Sequence, residues 1–158
     1  MDINLPDNYC PYEVMTDSLK DTGSWNIFGL KYLNLPLSLQ NILMDSPTME
    51  FVAEISDTYH LLESQARELS RIMGNVIIGD LFIGNMTSEI GERLNLPPET
   101  AQQIRNQIVS ELFAPAIEDI KKVQREKFAN KIGNQPQTPA PKPPTDINPG
   151  NVVNLRNK

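Results

Sequence analysis

The sequence predicts an all-α protein: a small helical bundle built from two similar helix–turn–helix units, with a disordered, proline-rich C-terminal tail. Three observations lead to this fold class. Apolar residues recur at helical spacing through residues 47–133. Proline or an N-capping residue stands where three of these stripes begin. The segment YHLLESQARELSRIM (59–73) is nearly repeated 35 positions later as LNLPPETAQQIRNQI (94–108).

The first 46 residues divide into a polar segment and an aromatic one. Residues 1–23 are turn-rich, and we expect them to be flexible, with a short helix within PYEVMTDSLK (11–20). The bundle is predicted to begin at residue 24. Trp25, Phe28 and Tyr32 then fall at i, i+3 and i+7, so one helical face presents three rings. That face either packs in the core or meets a partner.

Two helical hairpins are predicted over about 47–82 and 85–113. Ser46-Pro47 has the residue types of a helix N-terminus, and a second helix should run from about Glu63 to Ile78. Asn85 can cap a short third helix. Pro97-Pro98 begins a fourth, since proline lacks only an N–H that has no intrahelical partner in the first turn.

The internal repeat indicates that these hairpins are copies of one unit. At an offset of 35, Leu61 matches Leu96 and Ala66 matches Ala101, while His60 corresponds to Asn95. At an offset of 31, GDLF (79–82) matches SELF (110–113), which suggests four extra residues in the first copy, about one helical turn. Two units are too few for an open stack of repeats, so we expect a closed bundle.

The C-terminal third contains a proline-interrupted helix and then a different kind of sequence. A helix is predicted over about 115–132, with a kink or break at Pro115, because proline inside a helix costs roughly 3 kcal/mol. Residues 134–158 are rich in proline and poor in large apolar side chains, so we expect disorder. The small apolar cluster Val152, Val153 and Leu155 in this arm is either a docking peptide or without function.

Charge and composition argue against several function classes. Residues 1–111 hold 16 acidic and 6 basic side chains, a net charge of −10, which repels nucleic-acid phosphates. No apolar run reaches the roughly 20 residues that a membrane span needs. The N-terminal MDINLPDNY does not resemble a secretory signal, and Cys10 is the only cysteine, so we expect a cytoplasmic protein.

No residue pattern supports catalysis. His60 is the only histidine, and Asp57-x-x-His60 is an incomplete metal motif because Asn95 occupies the matching position of the second repeat. Cys10 has no histidine or asparagine motif near it, and the glycines Gly74, Gly79 and Gly84 are not followed by the Lys-Ser or Lys-Thr of a phosphate loop. We therefore expect no enzyme, no cofactor and no metal.

The remaining hypothesis is a protein-interaction or adaptor module with a proline-rich docking arm. Its candidate partner-binding residues are Trp25, Phe28, Tyr32, Val152, Val153 and Leu155. One alternative is a helix–turn–helix nucleic-acid binder whose recognition helices would contact nucleic acid through Arg67, Arg71 and Arg105. Another is a structural subunit of a homo-oligomer.

Overall fold

The chain forms a helical bundle, and a computed structural model describes its residues 9–133. Within this range there is no strand, which confirms the predicted fold class. The α-helices, in chain order, are α1 (Pro11–Thr16), α2 (Thr22–Leu33), α3 (Leu37–Met44), α4 (Ser46–Tyr59), α5 (Glu63–Ile78), α6 (Met86–Leu94), α7 (Pro98–Gln107), α8 (Ile117–Lys127) and α9 (Ala129–Gly133). The predicted proline-rich tail, 134–158, lies outside the described residues.

Helix α5 is the centre of the bundle and packs against α1, α3, α4, α6 and α8. Its sequence ESQARELSRIMGNVII places apolar side chains three and four positions apart, which gives one continuous buried stripe. The fully buried members of this stripe are Ala66, Leu69, Ile72, Met73, Val76 and Ile77. Most polar positions beside the stripe are half-buried, and Ser70 is buried as well.

The two predicted hairpins, α4–α5 and α6–α7, make the same turn at an offset of 35 residues. His60 ends α4 at φ 54° and ψ 46°, and Asn95 ends α6 at φ 53° and ψ 53°. They are the two non-glycine residues with positive φ in the described part of the chain. The hydrogen bond from Leu61 N–H to Ser56 O (2.9 Å) corresponds to that from Leu96 N–H to Gly91 O (3.0 Å). The repeat is therefore a repeat of backbone structure as well as of sequence.

The two hairpins also pack against each other. Helix α5 contacts α6 along the join between the copies. The side-chain amide of Gln65 donates to the carbonyl oxygen of Leu94 at 2.6 Å, and the Tyr59 hydroxyl donates to Gln107 Oε1 at 2.8 Å. Because apolar stripes on both sides of the join are buried, each copy covers surface that the other would expose to water.

The hairpins differ at their C-terminal ends. The sequence match at an offset of 31, between GDLF and SELF, does not correspond to a structural match there. Gly79, at φ 84°, ends α5 in a left-handed conformation that glycine adopts without steric cost. Residues Ile108–Phe113 instead continue α7 as a π-helix, followed by a 3₁₀ turn at Ala114–Ala116. GDLF thus follows a helix end, while SELF lies inside a helix. The wider turn and the 3₁₀ segment accommodate Pro115, where the sequence predicts a kink or break.

A buried glutamine closes the C-terminal end of the first hairpin. Gln124 of α8 is 2% exposed, and its side-chain NH₂ donates to the carbonyl oxygens of Val76 (2.9 Å) and Leu81 (3.0 Å). Its Oε1 accepts from the N–H of Ile83 at 2.9 Å. A buried polar group is stable only when it is hydrogen-bonded, and here one bond goes to the last turn of α5 and two go to the chain that follows it.

The bundle begins before residue 24, the boundary expected from the sequence. Val14 and Met15 of α1 are buried, and the chain before α1 is fastened to α5 by a hydrogen bond from Ser70 Oγ to Tyr9 O at 2.8 Å. The polar composition of residues 1–23 concealed the few apolar side chains that α1 buries. Residues 1–8 lie outside the described range. Beyond Phe128, helix α9 belongs to a separate unit, 129–158.

Candidate protein-interaction face

Helix α2, the core of the aromatic segment, starts at a well-formed cap. Asp21 Oδ1 accepts from the N–H of Ser24 at 2.8 Å, and Asp21 Oδ2 accepts from the Ser24 hydroxyl at 2.7 Å. These bonds stabilise the charged carboxylate, so they lower the pKa of Asp21. An N-cap of this type fixes where the helix begins and thereby which side chains share a face.

The inner face of α2 packs on α1 through aromatic rings. Phe28 is 6% exposed, and its ring meets that of Tyr12 edge to face at a centroid distance of 5.5 Å. Tyr32 makes a similar contact with Tyr12 at 5.1 Å, and its hydroxyl donates to the Met44 sulfur at 2.9 Å. Partial burial, reinforced by the neighbouring Tyr12, raises the pKa of Tyr32. This side of α2 belongs to the bundle.

The outer face of α2 is apolar as well, and it is exposed. Ile27 is 58% exposed, Leu30 63% and Leu33 71%. Their spacing of three residues places them together on one side of the helix. A helix that is hydrophobic on all sides is normally buried on all sides, whereas the bundle covers only the Phe28 side of this one. We call Ile27, Leu30, Leu33 and the flanking exposed Asn26 and Asn34 the outer face of α2.

An open groove of about 490 Å³ runs between the outer face of α2 and helix α8. Ile27 and Leu30 form one wall, Ile78 and Val123 contribute apolar surface, and Lys127 contributes to the α8 side. Lys31, Asn34 and Glu126 also line the groove, so its surface is part apolar and part polar. A ridge of exposed aliphatic side chains beside such a groove can receive a helix from another protein.

The outer face carries no ionisable side chain. Lys31 is the only charged residue of α2, and its Nζ lies 2.7 Å from Asp80 Oδ1 in an ion pair. An uncharged apolar patch flanked by polar residues is the composition found at the centre of protein–protein interfaces. Six of the seven large exposed apolar groups in the described range lie between residues 25 and 44, and three of the six are on this face; the six are Trp25, Ile27, Leu30, Leu33, Leu37 and Met44.

The structure separates the three predicted aromatic site residues. Trp25 is 45% exposed on the Phe28 side of α2, away from the outer face, while Tyr32 is half-buried and Phe28 is a core residue. The i, i+3, i+7 spacing did identify one face, but α1 covers most of it. The sequence analysis did not identify Ile27, Leu30 and Leu33 as site residues. Their apolar character outside the aromatic stripe could have indicated a second apolar face. Val152, Val153 and Leu155 lie outside the described residues.

Two of the three arginines suggested for nucleic-acid binding form ion pairs with carboxylates of the same chain. Arg67 pairs with Asp17 at 2.8 Å, and Arg71 pairs with Glu68. Burial, followed by the charges of Arg67 and Arg93, lowers the pKa of Arg71. Arg105 Nη1 lies 3.3 Å from Asn106 Oδ1. The first two arginines already have carboxylate partners, so they have less to gain from contact with phosphate.

Between residues 9 and 133, no group of three or more His, Cys, Asp or Glu side chains could hold a metal ion. Asp57 and His60 are both exposed at the end of α4, and Cys10 is buried, with its thiol donating to Leu43 O at 3.2 Å. No helix in this range combines the length and the apolar character required to span a membrane.

The comparisons with known proteins leave the interpretation to these residues. No protein-family model, no curated protein and no solved structure matches the chain.

Proposed function

We propose that this chain is a non-enzymatic protein-interaction module, of the scaffold or adaptor type, that binds through the outer face of α2. The observation that supports it most directly is the exposure of Ile27, Leu30 and Leu33 on a helix whose opposite side packs on α1 through Phe28. Leaving such side chains in water costs about 25 cal/mol per Å² of apolar surface, which a partner would recover on binding.

The proline-rich arm, residues 134–158, supplies a second contact in this proposal. Its support is the sequence alone, since proline-rich segments are extended before they bind and lose little entropy on docking. We also propose a cytoplasmic location, which rests on the presence of a single cysteine.

Photo-cross-linking on the full chain tests the face directly. A photoreactive amino acid replaces Leu33 in one variant and Leu62 in the other, which is similarly exposed but lies in the α4–α5 turn. In extracts of the native cells, we expect the Leu33 variant to form discrete covalent adducts with protein and the Leu62 variant to form few or none. Equal adduct yields from the two positions, or none from either, would contradict the proposal.

Binding to DNA of arbitrary sequence tests the nucleic-acid alternative. The protein-interaction proposal predicts no salt-dependent DNA binding and no loss of protein adducts when Arg105 is replaced by Ala. Tight DNA binding that weakens steeply with salt and is lost in Arg105→Ala would support the alternative instead.

A further inference from the structure

The outer face of α2 is symmetric about Leu30. Ile27 and Leu33 lie three positions to either side of it, and Asn26 and Asn34 lie four positions to either side. All five side chains are exposed. When two identical helices pair antiparallel around a two-fold axis, a residue at i meets the residue at the mirrored position of its partner, and the reverse contact is identical. A face with mirror-related residues can therefore match itself.

We propose that the partner of this face is a second copy of the same chain, with the two α2 helices antiparallel and the two-fold axis at Leu30. The proposal rests on the proposed function, because it names the occupant of the same face. In this arrangement Leu30 meets its own equivalent, Ile27 meets Leu33 of the partner subunit, and the asparagines meet each other at both ends.

The chemistry of the paired residues favours self-association. The centre would be three layers of aliphatic side chains, closed at each end by an asparagine pair. An asparagine amide carries both donors and acceptors, so two asparagines can hydrogen-bond each other. The chain as a whole has a net charge of −6, yet this face has no ionisable group, so two copies would meet without like charges in contact.

The apolar area of this face is that of a small interface. Ile27, Leu30 and Leu33 are each between 58% and 71% exposed. If all three were covered, they would remove roughly 700 Å² from water over two copies, the size of a weak rather than a permanent interface. The groove beside α8 would add to this area where the partner helix lies over it.

The first test is the mass of the full chain in solution. Light scattering and sedimentation should give twice the chain mass of 17.8 kDa for the wild type and for Leu62→Glu, but the single-chain mass for Leu30→Glu. Circular dichroism is the control: Leu30→Glu should keep the helical signal of the wild type, because position 30 is exposed. A wild-type chain that is monomeric at its highest soluble concentration overturns the inference, and so does a Leu30→Glu variant that remains dimeric.

Cysteine cross-linking tests the register and needs no introduced charge. Under mild oxidation, Leu30→Cys should form a covalent dimer by itself, because the two copies of this position lie on the axis. An equimolar mixture of Ile27→Cys and Leu33→Cys should also cross-link. Either of those variants alone should not, since its two copies would be six residues, or about 9 Å, apart along the helices, beyond the reach of a disulfide. Efficient cross-linking of Ile27→Cys alone would overturn the antiparallel register.

The outcomes separate this inference from the proposed function. A monomeric wild-type chain whose position 33 cross-links to a different protein overturns self-pairing and leaves the proposed function intact. A position 33 that yields no adduct, with the purified chain or with the cell extract, overturns both.

Discussion

His60 and Asn95 occupy the same place in the two hairpins, yet the chain that follows them is stabilised differently. In the first hairpin the N–H of Leu62 donates to the Oε1 of Gln65 at 2.7 Å. In the second, the residue at the same position is Pro97, which has no N–H to satisfy, and Thr100 stands where Gln65 would be. The backbone N–H at this position is thus hydrogen-bonded by a side chain in the first copy, and proline removes that N–H in the second.

This difference shows what the repeat preserves. Apolar pairs such as Leu69 and Ile104 keep their burial, and the left-handed residue keeps its place between the helices. Polar details vary between the copies wherever another group can satisfy the backbone. The four experiments that follow test this comparison, from the largest expected effect to the smallest, and all use urea or thermal unfolding at a fixed protein concentration.

Equivalent core truncations should cost similar amounts in the two copies. Leu69 and Ile104 are both fully buried, so Leu69→Ala and Ile104→Ala should each lower the free energy of unfolding by about 2–5 kcal/mol. Gln103→Ala, at an exposed position of α7, should change it by no more than about 0.5 kcal/mol and serves as the control. A negligible cost at only one of the two buried positions would show that the hairpins are not packed alike.

Replacing Gln124 should affect the end of the first hairpin alone. Gln124→Leu leaves two buried carbonyl groups and one N–H without their partner, so we expect a loss of roughly 2–3 kcal/mol in the free energy of unfolding. Hydrogen exchange should become faster in residues 79–85, and that in α6 and α7 should change less. The exposed Lys122→Ala on the same helix should leave both measurements near their wild-type values. Uniformly faster exchange across the bundle would contradict this local role.

Gln65 should matter more than its counterpart Thr100. Gln65→Ala removes the bonds to Leu62 N–H and to Leu94 O, and we expect it to cost about 1–2 kcal/mol of unfolding free energy. Thr100→Ala, at the same repeat position, should cost about 0.5 kcal/mol or less. Equal costs at the two positions would argue that Gln65 contributes only helix propensity and no link between the hairpins.

The smallest expected effect lies at the two turns. A side chain in left-handed conformation costs roughly 1–2 kcal/mol, less for asparagine, and glycine avoids this cost. His60→Gly should therefore raise the free energy of unfolding by about 0.5–1 kcal/mol, and Asn95→Gly by a few tenths, about 0.3 kcal/mol. A destabilised His60→Gly variant would mean that the imidazole makes contacts that offset its backbone strain.

Local sequence rules accounted for the hairpins and for much of the bundle. The bounds Glu63–Ile78 of α5, the starts of α6 and α7, and the departure from α geometry near Pro115 follow from patterns within a few residues. Helix periodicity, capping and the effect of proline all act over one or two turns, so a single sequence is enough to read them. The same rules placed the boundary of the bundle too late, because α1 is short and contributes few apolar side chains.

By itself, the sequence determined that α2 is a helix with apolar side chains on both sides; only the tertiary structure decided which side the bundle uses. Nothing local distinguishes the Phe28 side from the Leu30 side, since each can bury apolar surface. The choice was made by a contact with Tyr12 of α1, a residue 16 positions away from Phe28 in the chain. Burial depends on what lies opposite in space, and for that reason the exposed outer face of α2 became visible only once the helices were packed together.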